Sequence, residues 1–123
     1  MSPRVLVVDD DWEIRWLVTF VLQRDPNVAL VGEAPDGEVA VSLVRQERPD
    51  VVVIDVMMPR LDGLEATRRI KQEYPATKVL VLTSLTDDAT RSEAFEKGAD
   101  AFLNKREIAT VLRPTIRLVT SLA

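Results

Sequence analysis

The chain has 123 residues and a net charge of −4, with 46% hydrophobic and 29% charged residues, which suits one folded domain burying roughly two-thirds of its unfolded surface. The negative charge argues against direct binding to nucleic acid or to an anionic membrane, both of which rest on clustered Lys and Arg. Cysteine and histidine are both absent, which excludes disulfides and thiolate chemistry, removes the commonest general base, and leaves oxygen as the ligand for any metal.

Met1-Ser2-Pro3-Arg4 leads into an apolar run at residues 5–8 that acid then ends. The run is too short and wrongly flanked for a signal peptide or a membrane span, so one cytoplasmic domain covering residues 1–123 is expected. Helical spacing over residues 11–24 places Ile14, Leu17, Val18, Val21 and Leu22 on one face, and Asp25-Pro26-Asn27 ends it. Trp12, Trp16 and Phe20 fall almost opposite that face. They read either as a partner surface or as a stripe covered by the last helix.

A second strand is predicted at residues 29–32. Pro35-Asp36-Gly37 then starts a helix that runs through Val39, Ala40, Leu43 and Val44 to a stop at Pro49. Residues 51–54 form the third strand, followed by the loop Met58-Pro59-Arg60-Leu61-Asp62-Gly63 and a helix over residues 64–73. The fourth strand is at residues 79–82, and Thr86-Asp87-Asp88 caps a helix to Lys97 that Gly98 stops. A short fifth strand covers residues 101–103, and the last helix begins near Arg106. Pro114 falls inside that helix and predicts a kink, because an interior proline costs about 3 kcal/mol.

The strand runs are unbroken rather than alternating, as expected where both faces of a parallel sheet are covered. Strict alternation with helices implies right-handed crossovers and an α/β, flavodoxin-like (βα)5 doubly wound sheet in the order 2-1-3-4-5. Such sheets bind ligands beyond the carboxyl ends of their strands. At those ends stand Asp9-Asp10, Asp55, Thr83 and Lys105. Three carboxylates so close repel one another, and a hard divalent cation is the natural compensator. Mg²⁺ fits best, since it needs only one or two carboxylates together with phosphate oxygens. A metal, an ammonium and a hydroxyl around one carboxylate are what a transferred phosphoryl group requires, and Asp55, flanked by the others, is the expected nucleophile.

Val7-Val8-Asp9-Asp10, Asp55-Val56-Met57-Met58-Pro59 with Asp62-Gly63, Thr83-Ser84, and Gly98-Ala99-Asp100-Ala101-Phe102-Leu103-Asn104-Lys105 occur in an order and spacing that resembles the receiver domain of bacterial two-component response regulators. The resemblance covers essentially the whole chain. It implies that Asp55 accepts a phosphoryl group from a sensor histidine kinase or phosphotransfer protein, and that Asp10, Asp55 and the Met57 carbonyl bind Mg²⁺. It further implies that Asp9 acts through a water on the metal, and that Thr83 and Lys105 bind the phosphoryl oxygens. Phe102 falls at the position of the switch aromatic, which turns inward when the Thr83 hydroxyl moves to the phosphate; a plain core aromatic is the alternative. By the same resemblance the Trp12-Trp16-Phe20 region meets the kinase or a second receiver, with a homodimer on phosphorylation as one outcome.

Three features depart from the family pattern. Arg106 follows Lys105 where many receivers have a proline with a cis bond; a cis bond before a non-proline residue costs about 3 to 4 kcal/mol, so a trans bond is expected. Met57 and Leu85 occupy the positions that tune phosphoryl lifetime, and neither can orient a hydrolytic water, which predicts slow self-dephosphorylation. The exposed aromatics on the first helix are the third. The enzyme alternative, a Mg²⁺-dependent phosphohydrolase with an aspartyl nucleophile, would need an acid two residues after Asp55, where Met57 stands. The expected protein is therefore no enzyme on an external substrate, and it is either a stand-alone receiver or part of a longer, possibly DNA-binding, regulator.

Overall fold

Val5-Leu6-Val7-Val8 offers no polar face, and in the computed structural model, which describes residues 2–121, it forms the buried body of the interior strand β1 (Arg4–Val8). The other strands are β2 (Ala29–Ala34), β3 (Val51–Ile54), β4 (Lys78–Thr83) and β5 (Ala101–Asn104). All pair in parallel, in the order β2-β1-β3-β4-β5, which is the expected doubly wound topology. Val5, Leu6, Val7 and Val8 align with Val51, Val52, Val53 and Ile54, so Asp9 and Asp55 leave adjacent strands in step.

The helices are α1 (Trp12–Gln23), α2 (Gly37–Glu47), α3 (Gly63–Glu73), α4 (Asp88–Glu96) and α5 (Leu112–Thr120). Alternate strand residues feed two core layers, as the two-residue period of a strand requires. Leu6, Val8, Val52, Ile54, Val79 and Val81 pack with Ala40, Val44, Ala66, Ile70 and Ala94 from α2, α3 and α4. Val5, Val7, Val51, Val53, Leu80 and Leu82 pack with Val18 and Leu22 of α1 and with Leu112, Ile116 and Val119 of α5. Among the described residues, no helix is long and apolar enough to cross a membrane.

Four helices start with the same device. The side chains of Asp11, Asp36, Asp62 and Asp87 accept hydrogen bonds from the amides of Glu13, Val39, Glu65 and Thr90. Each such cap stabilises its helix by about 0.5 to 2 kcal/mol relative to alanine. Because each helix follows a strand in a parallel sheet, these positively polarised N-termini gather at the edge where Asp9 and Asp55 emerge.

The carboxyl-terminal segment differs from the sequence expectation. After β5 the chain makes a 3₁₀ turn at Lys105–Glu107, closed by a capping box in which the Asn104 side chain accepts from Arg106 N and Glu107 accepts from Asn104 N, both at 2.9 Å. The last helix starts at Leu112 rather than near Arg106. Pro114 therefore lies in the first turn, where its missing N–H has no intrahelical partner to lose, and the predicted interior kink does not arise. Among the described residues no peptide bond is cis, so Lys105-Arg106 is trans as expected. On α1, Leu17 is 37% exposed although its spacing placed it with the core face, and α5 leaves the Trp12-Trp16-Phe20 stripe uncovered.

The cap of α2 carries a testable charge. The Val39 amide and the Arg60 guanidinium hold the buried Asp36 carboxyl below its ordinary value, outweighing the opposing effect of burial. Folding lowers this pKa, so ionised Asp36 stabilises the fold at neutral pH. The contribution is lost as pH falls below the unfolded value of about 3.9 and through the depressed folded value. Asp36→Asn keeps a capping oxygen without the charge. Urea midpoints at neutral pH and at pH values below about 4 should then fall less on acidification for the variant than for the wild type; equal losses would contradict this assignment.

Candidate functional site

β1 and β3 end side by side, and the turns that follow bring carboxylate oxygens of Asp9, Asp10 and Asp55 within 4.8 Å of one another. Asp9 and Asp55 are buried and Asp10 is exposed. From the end of β5, the Lys105 ammonium reaches into the cluster, with Nζ 2.9 Å from Asp9 Oδ2 and 3.1 Å from Asp55 Oδ2. Asp55 Oδ1 accepts from the Val56 amide at 2.7 Å, and Asp9 Oδ1 accepts from the Asp11 amide at 2.9 Å.

Local backbone contacts fix these groups. The Asp55 amide donates to the Val8 carbonyl at 3.1 Å, and the Gly63 amide donates to the Val56 carbonyl at 2.8 Å, which folds the start of α3 back onto the end of β3. A Cβ at residue 63 would overlap the Asp55 carbonyl, so only glycine permits this approach. On the other side, Arg15 of α1 donates from Nη1 to the Asp9 carbonyl at 2.6 Å, and its Nε lies 3.3 Å from Glu33 of β2. Sequence reading missed Arg15, since its partners are a main-chain oxygen and a residue on another strand, neither of which spacing reveals.

The electrostatics follow from crowding. Burial pushes the Asp9 carboxyl above the usual carboxylate range, against the opposing pull of the Lys105 and Asp11 hydrogen bonds, and the Asp55 charge adds to the rise. Burial alone would lower the Lys105 pKa, but hydrogen bonds to Asp9 and Asp55 outweigh it and hold the ammonium above its ordinary value. One ammonium faces three carboxylates, so the cluster retains an excess of negative charge. An all-oxygen donor set with that excess fits a hard divalent cation.

Thr83 ends β4 and is buried, with Oγ1 accepting from the Leu85 amide at 3.2 Å, so its own proton remains available to donate. Phe102 of β5 is half-buried beside the α2-α3-α4 core layer, with the Arg91 guanidinium 5.7 Å from its ring centre. The structure thus brings Asp9, Asp10, Asp55 and Lys105 together directly, with Thr83 and Phe102 on the neighbouring strands. Among the described residues, neither hydrogen-bonds to the acid cluster. The Met57 side chain is 63% exposed, turned to solvent rather than the core. Away from the cluster, Trp12 and Trp16 are 66% and 59% exposed; Trp16 stacks on Phe20 at 5.3 Å, and Arg24 caps the Phe20 ring at 5.5 Å.

Comparison with known proteins agrees with this geometry. The family model for the response regulator receiver domain matches residues 5–117. A protein-glutamate methylesterase/protein-glutamine glutaminase of Rhodospirillum rubrum is 42% identical over 109 residues, covering 87% of this chain and 30% of that protein. The transcriptional regulatory protein DegU of Brevibacillus brevis is 35% identical over 116 residues, 94% of this chain and 49% of DegU. The chain thus spans between about a third and a half of these two relatives. Among solved structures, the response regulator domain of Thermotoga maritima CheB superposes with a TM-score of 0.94 at 33% identity, covering 100% of this chain and 99% of that one. The chain belongs to the response regulator receiver family, the phosphoacceptor domains of two-component signalling.

Proposed function

We propose that Asp55 is the phosphoacceptor, and that residues 1–123 form one cytoplasmic receiver domain taking its phosphoryl group from a sensor histidine kinase or phosphotransfer protein to control an output. The observation that carries this reading is the Lys105 ammonium held at hydrogen-bond distance from both Asp9 and Asp55 within a cluster of three carboxylates. Asp55 follows β3, which lies between β1, leading to Asp9 and Asp10, and β4, ending at Thr83.

In the transfer, an oxygen of Asp55 attacks the phosphorus of the donor, forming a P–O bond as the bond from phosphorus to the donor breaks. Lys105 supplies a fixed positive charge where negative charge collects on the phosphoryl oxygens, with no reorganisation at the moment of reaction. The Thr83 hydroxyl donates to a phosphoryl oxygen. As it shifts, Phe102 turns inward from its half-buried position, and this change alters the surface that the output reads. Mg²⁺ would be held by Asp10, Asp55 and the Met57 carbonyl, with Asp9 completing the site. When bound it neutralises the excess carboxylate charge and the incoming phosphate. The domain acts on its own aspartate and on no external substrate. With Mg²⁺ and acetyl phosphate, the wild type should gain one phosphoryl group by intact mass, and Asp55→Asn should gain none; equal gain in both would remove Asp55 from this role.

The lifetime of the phosphoryl group follows from the side chains near it. Met57 and Leu85 carry no group that can orient a water, so self-dephosphorylation is slow. Introducing an amide and an acid through Met57→Asn with Leu85→Glu should shorten the aspartyl-phosphate half-life by about tenfold or more. An unchanged decay rate, followed by loss of the phosphorylated mass, would contradict this.

The Trp12-Trp16-Phe20 stripe of α1 serves as the partner surface, meeting the kinase or phosphotransfer protein and, once the domain is phosphorylated, a second copy. Its support is the contiguous aromatic exposure along α1, since aromatic anchors dominate protein interfaces. Trp16→Glu should slow transfer from the kinase or weaken self-association, yet leave phosphorylation by acetyl phosphate at the wild-type rate. Wild-type behaviour in all three assays would rule the surface out.

A further inference from the structure

In the loop between β3 and α3, Arg60 adopts a left-handed backbone with φ of 66°. A residue with a side chain disfavours this region, and it persists only where surrounding contacts hold it. Here the side chain itself supplies the contact. Its Nε and Nη2 both donate to Asp36 Oδ2, at 2.9 and 2.7 Å. The Asp36 side chain is buried, and its other oxygen caps α2 through the Val39 amide.

A second tie runs beside the first. The Gly37 amide donates to the Leu61 carbonyl at 3.1 Å, and a Cβ at residue 37 would overlap that carbonyl. The start of α2 therefore grips the loop at two consecutive residues, Arg60 and Leu61. At its other end the loop is held by the bond from the Gly63 amide to the Val56 carbonyl. The stretch Met57-Met58-Pro59 spans the gap between these anchors, immediately beyond Asp55.

We propose that Arg60 is a positioning residue for the acid cluster: through its pair with Asp36 it locks the stretch that carries the Met57 carbonyl, and so sets how tightly the site holds a divalent cation. This rests on the reading of Asp9, Asp10 and Asp55 as a Mg²⁺ site. Arg60 acts through the backbone rather than by its own charge on the cation, because its guanidinium is committed to Asp36. The left-handed turn makes that reach possible, sending Leu61 into the core while the Arg60 side chain folds back toward α2.

The test is a MgCl₂ titration of the whole chain, followed by amide NMR shifts of Val56 and Gly63, in the wild type, Arg60→Gly, Asp36→Asn and the double variant. Glycine accepts the left-handed backbone, so Arg60→Gly removes the pair without forcing the turn. Its Mg²⁺ dissociation constant should rise about three- to tenfold, below the common loss for a residue bonded directly to a ligand, because the effect passes through the main chain. In the Asp36→Asn background the same substitution should add little. Urea midpoints measured alongside separate weaker binding from a loss of fold; should Arg60→Gly not fold, Arg60→Asn, which also tolerates the left-handed region, carries the same expectation. Wild-type affinity in a folded Arg60 variant would overturn the proposal, as would an undiminished effect when Asp36 is already neutral. A wild type that binds no Mg²⁺ while Asp55 still accepts phosphate would overturn the metal reading and this inference with it.

Discussion

Repulsion among Asp9, Asp10 and Asp55 is the constraint to which the carboxyl edge of the sheet answers. Carboxylate oxygens of the three lie within 4.8 Å of one another, a crowding that positive charge nearby relieves. Lys105 is one part of that answer, reaching from the far side of the sheet to Asp9 and Asp55 at once. A divalent cation is the other part the donor set calls for. An all-oxygen set of crowded carboxylates suits a hard divalent cation.

The remainder of the fold can be understood as holding that arrangement still. Parallel pairing in register sets Asp9 and Asp55 at the same height, and the aspartate-capped helices turn their positive ends toward the same edge. Gly63 brings α3 against the backbone of Asp55, Arg15 ties the Asp9 carbonyl to α1, and Asp36 with Arg60 ties the following loop to α2. Each contact acts on main chain or on a loop rather than on a reacting atom. Such supports fix the carboxylates without adding to the charge they must balance.

Most of this architecture is legible in the sequence because it rests on local patterns. Unbroken runs such as Val51-Val52-Val53-Ile54 mark strands buried on both faces, and Asp36-Gly37 or Asp62-Gly63 marks a helix start. The last helix was harder. Its spacing extends back toward Arg106, and Pro114 can mean either an interior kink or a first turn; the pairing of Asn104 with Glu107 was the local signal that the chain first makes a separate turn. Contacts between distant residues leave no such trace. Arg15 with the Asp9 carbonyl and Arg60 with Asp36 depend on where a helix and a loop come to lie. Spacing on α1 identified the aromatic face, but whether α5 covers it depends on how two helices lie on the sheet.

Asp55, rather than either of its acidic neighbours, is the residue proposed to carry the phosphoryl group. The most direct measurement is chemical trapping: phosphorylate the domain with a small donor in Mg²⁺, reduce the acyl phosphate with borohydride, digest, and locate the resulting homoserine by fragment masses. Homoserine is expected at residue 55 and nowhere else. Homoserine at residue 9 or 10, or phosphorylated protein that yields none, would contradict it.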